Sequence, residues 1–134
     1  MHIDHIGYVV SDISAALERF VDIYGFTLQS EVIFDPAQQV NLVMMESTNN
    51  YNIELIQPID EKSPSYDFMK KGGGLHHFCY AVKNIEKSIK EMKENGHLLI
   101  KRPIKAPLLN GRPVAFLFSK IDRQIIEIVE NTEG

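Results

Sequence analysis

The stretch His5-Ile6-Gly7-Tyr8-Val9-Val10-Ser11-Asp12-Ile13 has a counterpart in His77-Phe78-Cys79-Tyr80-Ala81-Val82-Lys83-Asn84-Ile85, 72 positions further along. That one shift lays His5 on His77, Val10 on Val82, Asp12 on Asn84, Ile13 on Ile85 and Leu17 on Ile89. Strand end, helix cap and helix core agree together. Two copies of one unit face the same packing problem, so self-similarity of this kind speaks for a repeated architecture.

Outward from the first copy, Met1 to Val10 is predicted as a strand, because β-branched and apolar residues cluster there without a helical break. Ser11-Asp12 supplies a cap, and a helix is expected from Ile13 to about Tyr24. Its apolar positions Ile13, Ala16, Leu17, Phe20, Val21 and Tyr24 recur at three-to-four spacing, and Gly25 is placed to end it. Strands are predicted near Thr27 to Phe34, Val40 to Glu46 and Tyr51 to Ile56. The second half repeats the order: strand Leu75 to Val82, cap Asn84, helix Ile85 to Asn95, stop at Gly96. Strands then fit His97 to Lys101, Pro113 to Phe118 and Gln124 to Glu130. Between the copies, Pro58 to Gly74 reads as a linker carrying a short helix, capped by Ser63, begun by Pro64 and ended by Gly72-Gly73-Gly74. The expected fold is α+β: two βαβββ modules in a single domain, at about 1–58 and 74–134, joined by a linker at about 59–73.

Bulk properties narrow the function. The 134 residues suffice for one domain with a real core, or for two half-sized modules sharing one. With 44% apolar and 24% charged residues the chain is neither disordered nor fibrous in composition. A formal charge of -4 gives no reason to expect nucleic acid as a partner. No apolar run approaches the roughly 20 residues a spanning helix needs, and Met1-His2-Ile3-Asp4 opens no signal peptide, so no membrane association is expected. The lone Cys79 excludes an intrachain disulfide and suits a reducing cytoplasm. A cytoplasmic enzyme or binding protein for a small molecule is the expectation.

Four residues stand out chemically. Side chains alternate along a strand, so His5 shares a face with Gly7 and Val9, and His77 with Cys79 and Ala81; small neighbours leave room before each imidazole. Glu54 lies in Ile53-Glu54-Leu55-Ile56 and Glu127 in Ile125-Ile126-Glu127-Ile128-Val129. A lone carboxylate in such an apolar strand is expensive to desolvate unless paired or metal-bound. The two glutamates are 73 positions apart, one more than the histidines. Modules paired about a pseudo-twofold axis would each contribute one imidazole and one carboxylate to a shared point. Two His and two Glu suit one divalent ion, Zn, Ni, Co, Mn or Fe(II), with oxygens of water or substrate completing the shell. His76 faces the other way from His77. His2 and His97 have no repeat partner and read as surface or structural residues, and Cys79 as a small buried hydrophobe.

His5-Ile6-Gly7-Tyr8-Val9-Val10 with Asp12-Ile13, Glu54-Leu55-Ile56-Gln57-Pro58, Gly74-Leu75-His76-His77 with Val82, and Ile126-Glu127-Ile128 together resemble the vicinal-oxygen-chelate superfamily, which includes glyoxalase I and methylmalonyl-CoA epimerase. The resemblance covers nearly the whole chain. It implies paired βαβββ modules forming a curved mixed sheet around a metal, assembled as a homodimer. It also implies His5, Glu54, His77 and Glu127 as the metal ligands, with Glu127 as the base that moves a proton next to a carbonyl and Glu54 as the symmetry-related second candidate. A divalent ion suits that chemistry, since it stabilises negative charge developing on oxygen.

Three activities fit the resemblance. The principal expectation is a lyase or isomerase of the glyoxalase I, lactoylglutathione lyase-like, type, acting on a thiol adduct through an enediolate. The alternative is epimerisation of a CoA thioester of the methylmalonyl kind. A second alternative is a non-catalytic binding or resistance protein. The Gly-rich approach to His76-His77 and the linker after Gln57-Pro58 look closer to the epimerase. Against it, Leu42 occupies the position where the epimerase pattern supplies a carboxylate base, and Glu54 stands where some epimerases have glutamine. Against glyoxalase I, Gly7-Tyr8-Val9-Val10 lacks an arginine to grip a glutathione carboxylate. The turn from Ser119 to Arg123 departs from the family's Pro- and Gly-containing one. Lys101, Arg102, Lys105 and Arg112 form a basic cluster able to reach a phosphate or carboxylate, or to be a solvated loop.

Overall fold

A computed structural model describes residues 1–131. The elements are β1 (His2–Val9), α1 (Ile13–Leu17) continuing into a wider π-type turn (Glu18–Ile23), β2 (Thr27–Leu28), β3 (Ile33–Asp35), β4 (Val40–Glu46) and β5 (Asn52–Pro58). They are followed by α2 (Tyr66–Lys70), β6 (Gly74–Val82), α3 (Ile85–Glu94), β7 (His97–Ala106), a 3-10 turn (Pro107–Leu109), β8 (Arg112–Ser119) and β9 (Gln124–Glu130). Two compact units result, one of His5–His76 and the other of residues 77–131 together with Met1–Asp4.

In the first unit the strand order is β2-β4-β5-β1, with β3 also against β4. The opening strand β1 runs parallel to the closing strand β5, and the pairings within β2 to β5 are antiparallel. One face of this sheet receives the helix: Val10, Ile13, Ala16, Phe20, Val43, Met45 and Leu55 form a buried cluster. The second unit repeats the plan with the order β6-β9-β8-β7, β6 parallel to β9 and the rest antiparallel. Its helix-side core is Val82, Ile85, Ile89, Met92, Ala115, Leu117 and Ile128. The expected βαβββ module is present twice.

Each helix begins the same way. Asp12 Oδ1 accepts from the Ala15 amide at 3.1 Å, and Asn84 Oδ1 from the Lys87 amide at 3.0 Å, as the sequence caps imply. A second cap comes from the neighbouring strand: the Ile13 amide donates to Gln57 Oε1 at 2.9 Å and the Ile85 amide to Glu130 Oε2 at 3.0 Å. Two of the four amides that a helix start leaves open are thereby satisfied in each module.

Several boundaries differ from the sequence reading, among them the strand expected to end at Lys101, which continues to Ala106. The first helix is α-helical only to Leu17, and its end is closed by the Tyr24 amide donating to the Arg19 carbonyl, five residues back, before Gly25 turns at φ +76°. The strand expected over Thr27 to Phe34 is split into β2 and β3, because the Met44 amide donates to Ser30 Oγ, so a side chain takes the place of a ladder carbonyl. The linker helix starts at Tyr66 with Ser65 at its N-cap position, and Ser63 instead closes a turn onto the Tyr66 amide. Its end is as expected, with Gly72 and Gly73 amides donating to Met69 and Phe68 carbonyls and all three glycines at positive φ.

Candidate metal centre

The sheet face turned away from each helix carries the predicted ligands. In the first unit Gly7 lies opposite Glu54 and Met44 opposite Glu54, so these side chains share one face, and alternation brings His5, Leu42 and Ile56 onto it. In the second unit Cys79 and Phe116 lie opposite Glu127, and alternation adds His77 and Val114. Gly7 and Cys79, Met44 and Phe116, and Leu42 and Val114 are each 72 apart, so the repeat extends from the ligands to their surroundings.

All four candidates are buried: His5 is 0%, Glu54 7%, His77 5% and Glu127 4% exposed. Within the first unit His5 Nε2 lies 3.8 Å from Glu54 Oε1. Within the second, His77 Nε2 lies 3.0 Å from Glu127 Oε1, within hydrogen-bond distance, with the tautomer deciding which group donates. The His77 ring also meets Phe116 edge-on at 5.9 Å between centroids. A carboxylate buried this deeply requires a partner to offset its lost hydration. His77 stands at hydrogen-bond distance from Glu127, whereas the 3.8 Å between His5 Nε2 and Glu54 Oε1 is longer than a hydrogen bond.

Such a pair also fits a divalent ion. Nitrogen and oxygen ligands sit about 2.0–2.2 Å from a first-row divalent ion, so two of them are roughly 3.0–3.5 Å apart. The His77–Glu127 separation lies at that range and the His5–Glu54 separation within a few tenths of an ångström of it. Imidazole with carboxylate is a donor set shared by Zn, Mn, Fe, Co and Ni.

The remaining histidines do other work. His76 faces away from His77, packing edge-on against Phe68 at 4.9 Å. His97 Nδ1 lies 3.0 Å from the Met92 carbonyl at the end of α3, and His2 is exposed. Cys79 is fully buried. Of the basic cluster, Arg112 reaches Asp4 Oδ1 at 3.4 Å and donates from Nε to the Leu109 carbonyl, while Arg102 and Lys105 are exposed. The strand-end caps Gln57 and Glu130 were not singled out from sequence; the signal was their position three residues after Glu54 and Glu127, again 73 apart. No described helix is long and apolar enough to cross a membrane.

Comparison with known proteins places the architecture in a family. Residues 4–116 match the model of the Glyoxalase/Bleomycin resistance protein/Dioxygenase superfamily. The chain is 32% identical over 123 residues to ethylmalonyl-CoA/methylmalonyl-CoA epimerase of Cereibacter sphaeroides, covering 88% of both. It is 29% identical over 120 residues to the mitochondrial methylmalonyl-CoA epimerase of Homo sapiens, covering 88% of this chain and 66% of the human one. The chain therefore spans just under two thirds of the human protein's length. Among solved structures, hypothetical protein BH1468 of Bacillus halodurans C-125 superposes with a TM-score of 0.85 at 34% identity, covering 98% of this chain and 95% of that one. The repeated βαβββ plan, the buried His–Glu pair in each unit and these matches lead to one conclusion: the chain belongs to the glyoxalase/bleomycin resistance protein/dioxygenase, or vicinal-oxygen-chelate, superfamily.

Proposed function

We propose that this protein is an isomerase that moves the proton next to the carbonyl of a CoA thioester of the methylmalonyl kind, using one divalent ion held by His5, Glu54, His77 and Glu127. The observation that carries the reading is the pair of buried His–Glu couples, one in each unit and in repeat register. Four buried donors of this composition suit a divalent ion. Relatives named as methylmalonyl-CoA epimerases favour the isomerase over the glyoxalase I reading, which expected a lyase acting on a thiol adduct and finds no support among them.

When bound, the ion would supply Lewis-acid stabilisation of the negative charge that develops on the thioester oxygen. The protein's residues handle the proton. Leu42, at the position where the epimerase pattern has a carboxylate, is buried on the Glu54 face and has no group that accepts a proton. That duty falls to the glutamates. Glu127, ionised, takes the proton from the α-carbon, and Glu54, its counterpart in the other module, starts protonated and gives its own proton to the opposite side of that carbon. Exchange with solvent then returns Glu127 to the ionised and Glu54 to the protonated form. Leu42 and Met44 share the face of Glu54, and Val114 and Phe116 that of Glu127, so each carboxylate has apolar neighbours, which strengthen electrostatic interactions there.

Incubation of the metal-loaded protein with one epimer of methylmalonyl-CoA in deuterated water tests the reading. Deuterium at the α-carbon together with the opposite epimer is expected. Turnover of a methylglyoxal–thiol adduct with no such exchange would restore the lyase reading, and a metal content well below one per chain with silence on both substrates would favour a binding protein.

A further inference from the structure

A row of four residues crosses the ligand-bearing face of the second unit. Cys79 lies opposite Glu127, Glu127 opposite Phe116, and Phe116 opposite Lys101. Directly opposed residues in a ladder project from the same face. Lys101 therefore shares the face of Glu127, with the Phe116 ring between them.

This placement depends on a local irregularity. The β7–β8 register runs His97 to Ser119, Leu98 to Phe118 and Leu99 to Leu117, and would continue with Ile100 opposite Phe116. A shift between Leu99 and Lys101 puts Lys101 there instead, two residues of β7 facing one of β8. Such a bulge re-aims a side chain. In an unbroken ladder Lys101 would follow Leu99 onto the helix side, against the apolar core. A bulge serving only to keep a charge out of that core would leave it in open solvent, yet Lys101 is half-buried while Ile100 beside it is 55% exposed. None of the ion pairs among the described residues engages Lys101, whereas Arg112 of the same basic cluster is held by Asp4.

We infer that Lys101 is the cationic anchor for an anionic group of the ligand, a carboxylate of its acyl part or a phosphate of its carrier, held across the Phe116 ring from Glu127. Neighbouring strands are about 4.8 Å apart, so the Lys101 and Glu127 backbones lie on the order of 10 Å from each other. The flexible four-carbon stem of lysine spans much of that gap and leaves room for a group a few bonds long. The identity of the ligand rests on the isomerase reading; the anion site does not.

Two measurements decide it. With surface amines reductively methylated using carbon-13, a labelling that keeps the charge, malonate and inorganic phosphate are titrated separately while each lysine signal is followed. The Lys101 signal, identified by its loss in Lys101→Arg, is expected to move saturably while that of exposed Lys120 does not. A response to malonate alone assigns the acyl carboxylate, and a response to phosphate alone assigns the carrier. Equal or absent movement of both lysines in both titrations overturns the site. In turnover of methylmalonyl-CoA, Lys101→Met is expected to raise KM roughly tenfold or more, as loss of a hydrogen bond to a charged group does, with Lys101→Arg recovering most of it. An unchanged KM in Lys101→Met, with far-UV circular dichroism as in the parent, also overturns it. Absence of turnover in the parent protein counts against the isomerase reading alone and leaves the titration to judge Lys101.

Discussion

At the residue scale, the proposed chemistry rests on two buried carboxylates, Glu54 and Glu127. Glu127→Gln keeps the size and an oxygen donor but removes the basic group, so turnover should fall by about a hundredfold or more while the far-UV spectrum is retained. Near-parental turnover would remove Glu127 from the proton path. Gly73 is constrained for a different reason: a Cβ there would lie 2.6 Å from the Val9 carbonyl oxygen, and its φ is +67°. Gly73→Ala should cost about 1–3 kcal/mol in urea unfolding, since the clash is with backbone that cannot swing aside. The candidate ligands were legible in the sequence because a glutamate within an apolar strand has few explanations, and the repeat that superposes the two histidines brings the two glutamates within one residue of each other. Lys101 was visible only as one of four basic residues. A one-residue bulge leaves no mark in composition or period, and it alone decides which face that lysine joins.

At the element scale, the helix starts are joined to the strands that bear the glutamates. Glu54 and Gln57 sit on opposite faces of β5, one toward the candidate site and the other capping the helix, and Glu127 and Glu130 divide β9 in the same way. Helix position and ligand position are thus set by a single strand in each module. Glu130→Ala should destabilise by about 1 kcal/mol, read from the shift of a denaturation midpoint, because an amide at the start of α3 loses its acceptor. Strand and helix order could be read from period and caps, but the finer boundaries could not. The first helix ends in a five-residue turn, where Phe20 meets Tyr8, Tyr24 and Phe26 edge-on at 5.5, 5.1 and 5.2 Å, and a long-range aromatic cluster of this kind is silent in local spacing. Ser30 likewise reads as an ordinary strand residue until its hydroxyl is seen accepting the Met44 amide.

At the scale of the whole molecule, an ion held by all four candidates would tie the two modules' contributions into one folding unit. Removing it with a chelator should lower the unfolding temperature, and restoring it should recover about 2.7 kcal/mol at a hundredfold excess over its Kd. An unfolding curve indifferent to chelator and metal would speak against a shared ion. The strand β7 ends its sheet, and its outer edge is a poor template for growth. Pro103 offers no amide there, and two breaks of register keep its remaining donors and acceptors out of even spacing. Extended segments from other molecules therefore find no regular ladder to extend, so the irregularity that presents Lys101 on the inner face also guards the chain against strand-by-strand aggregation.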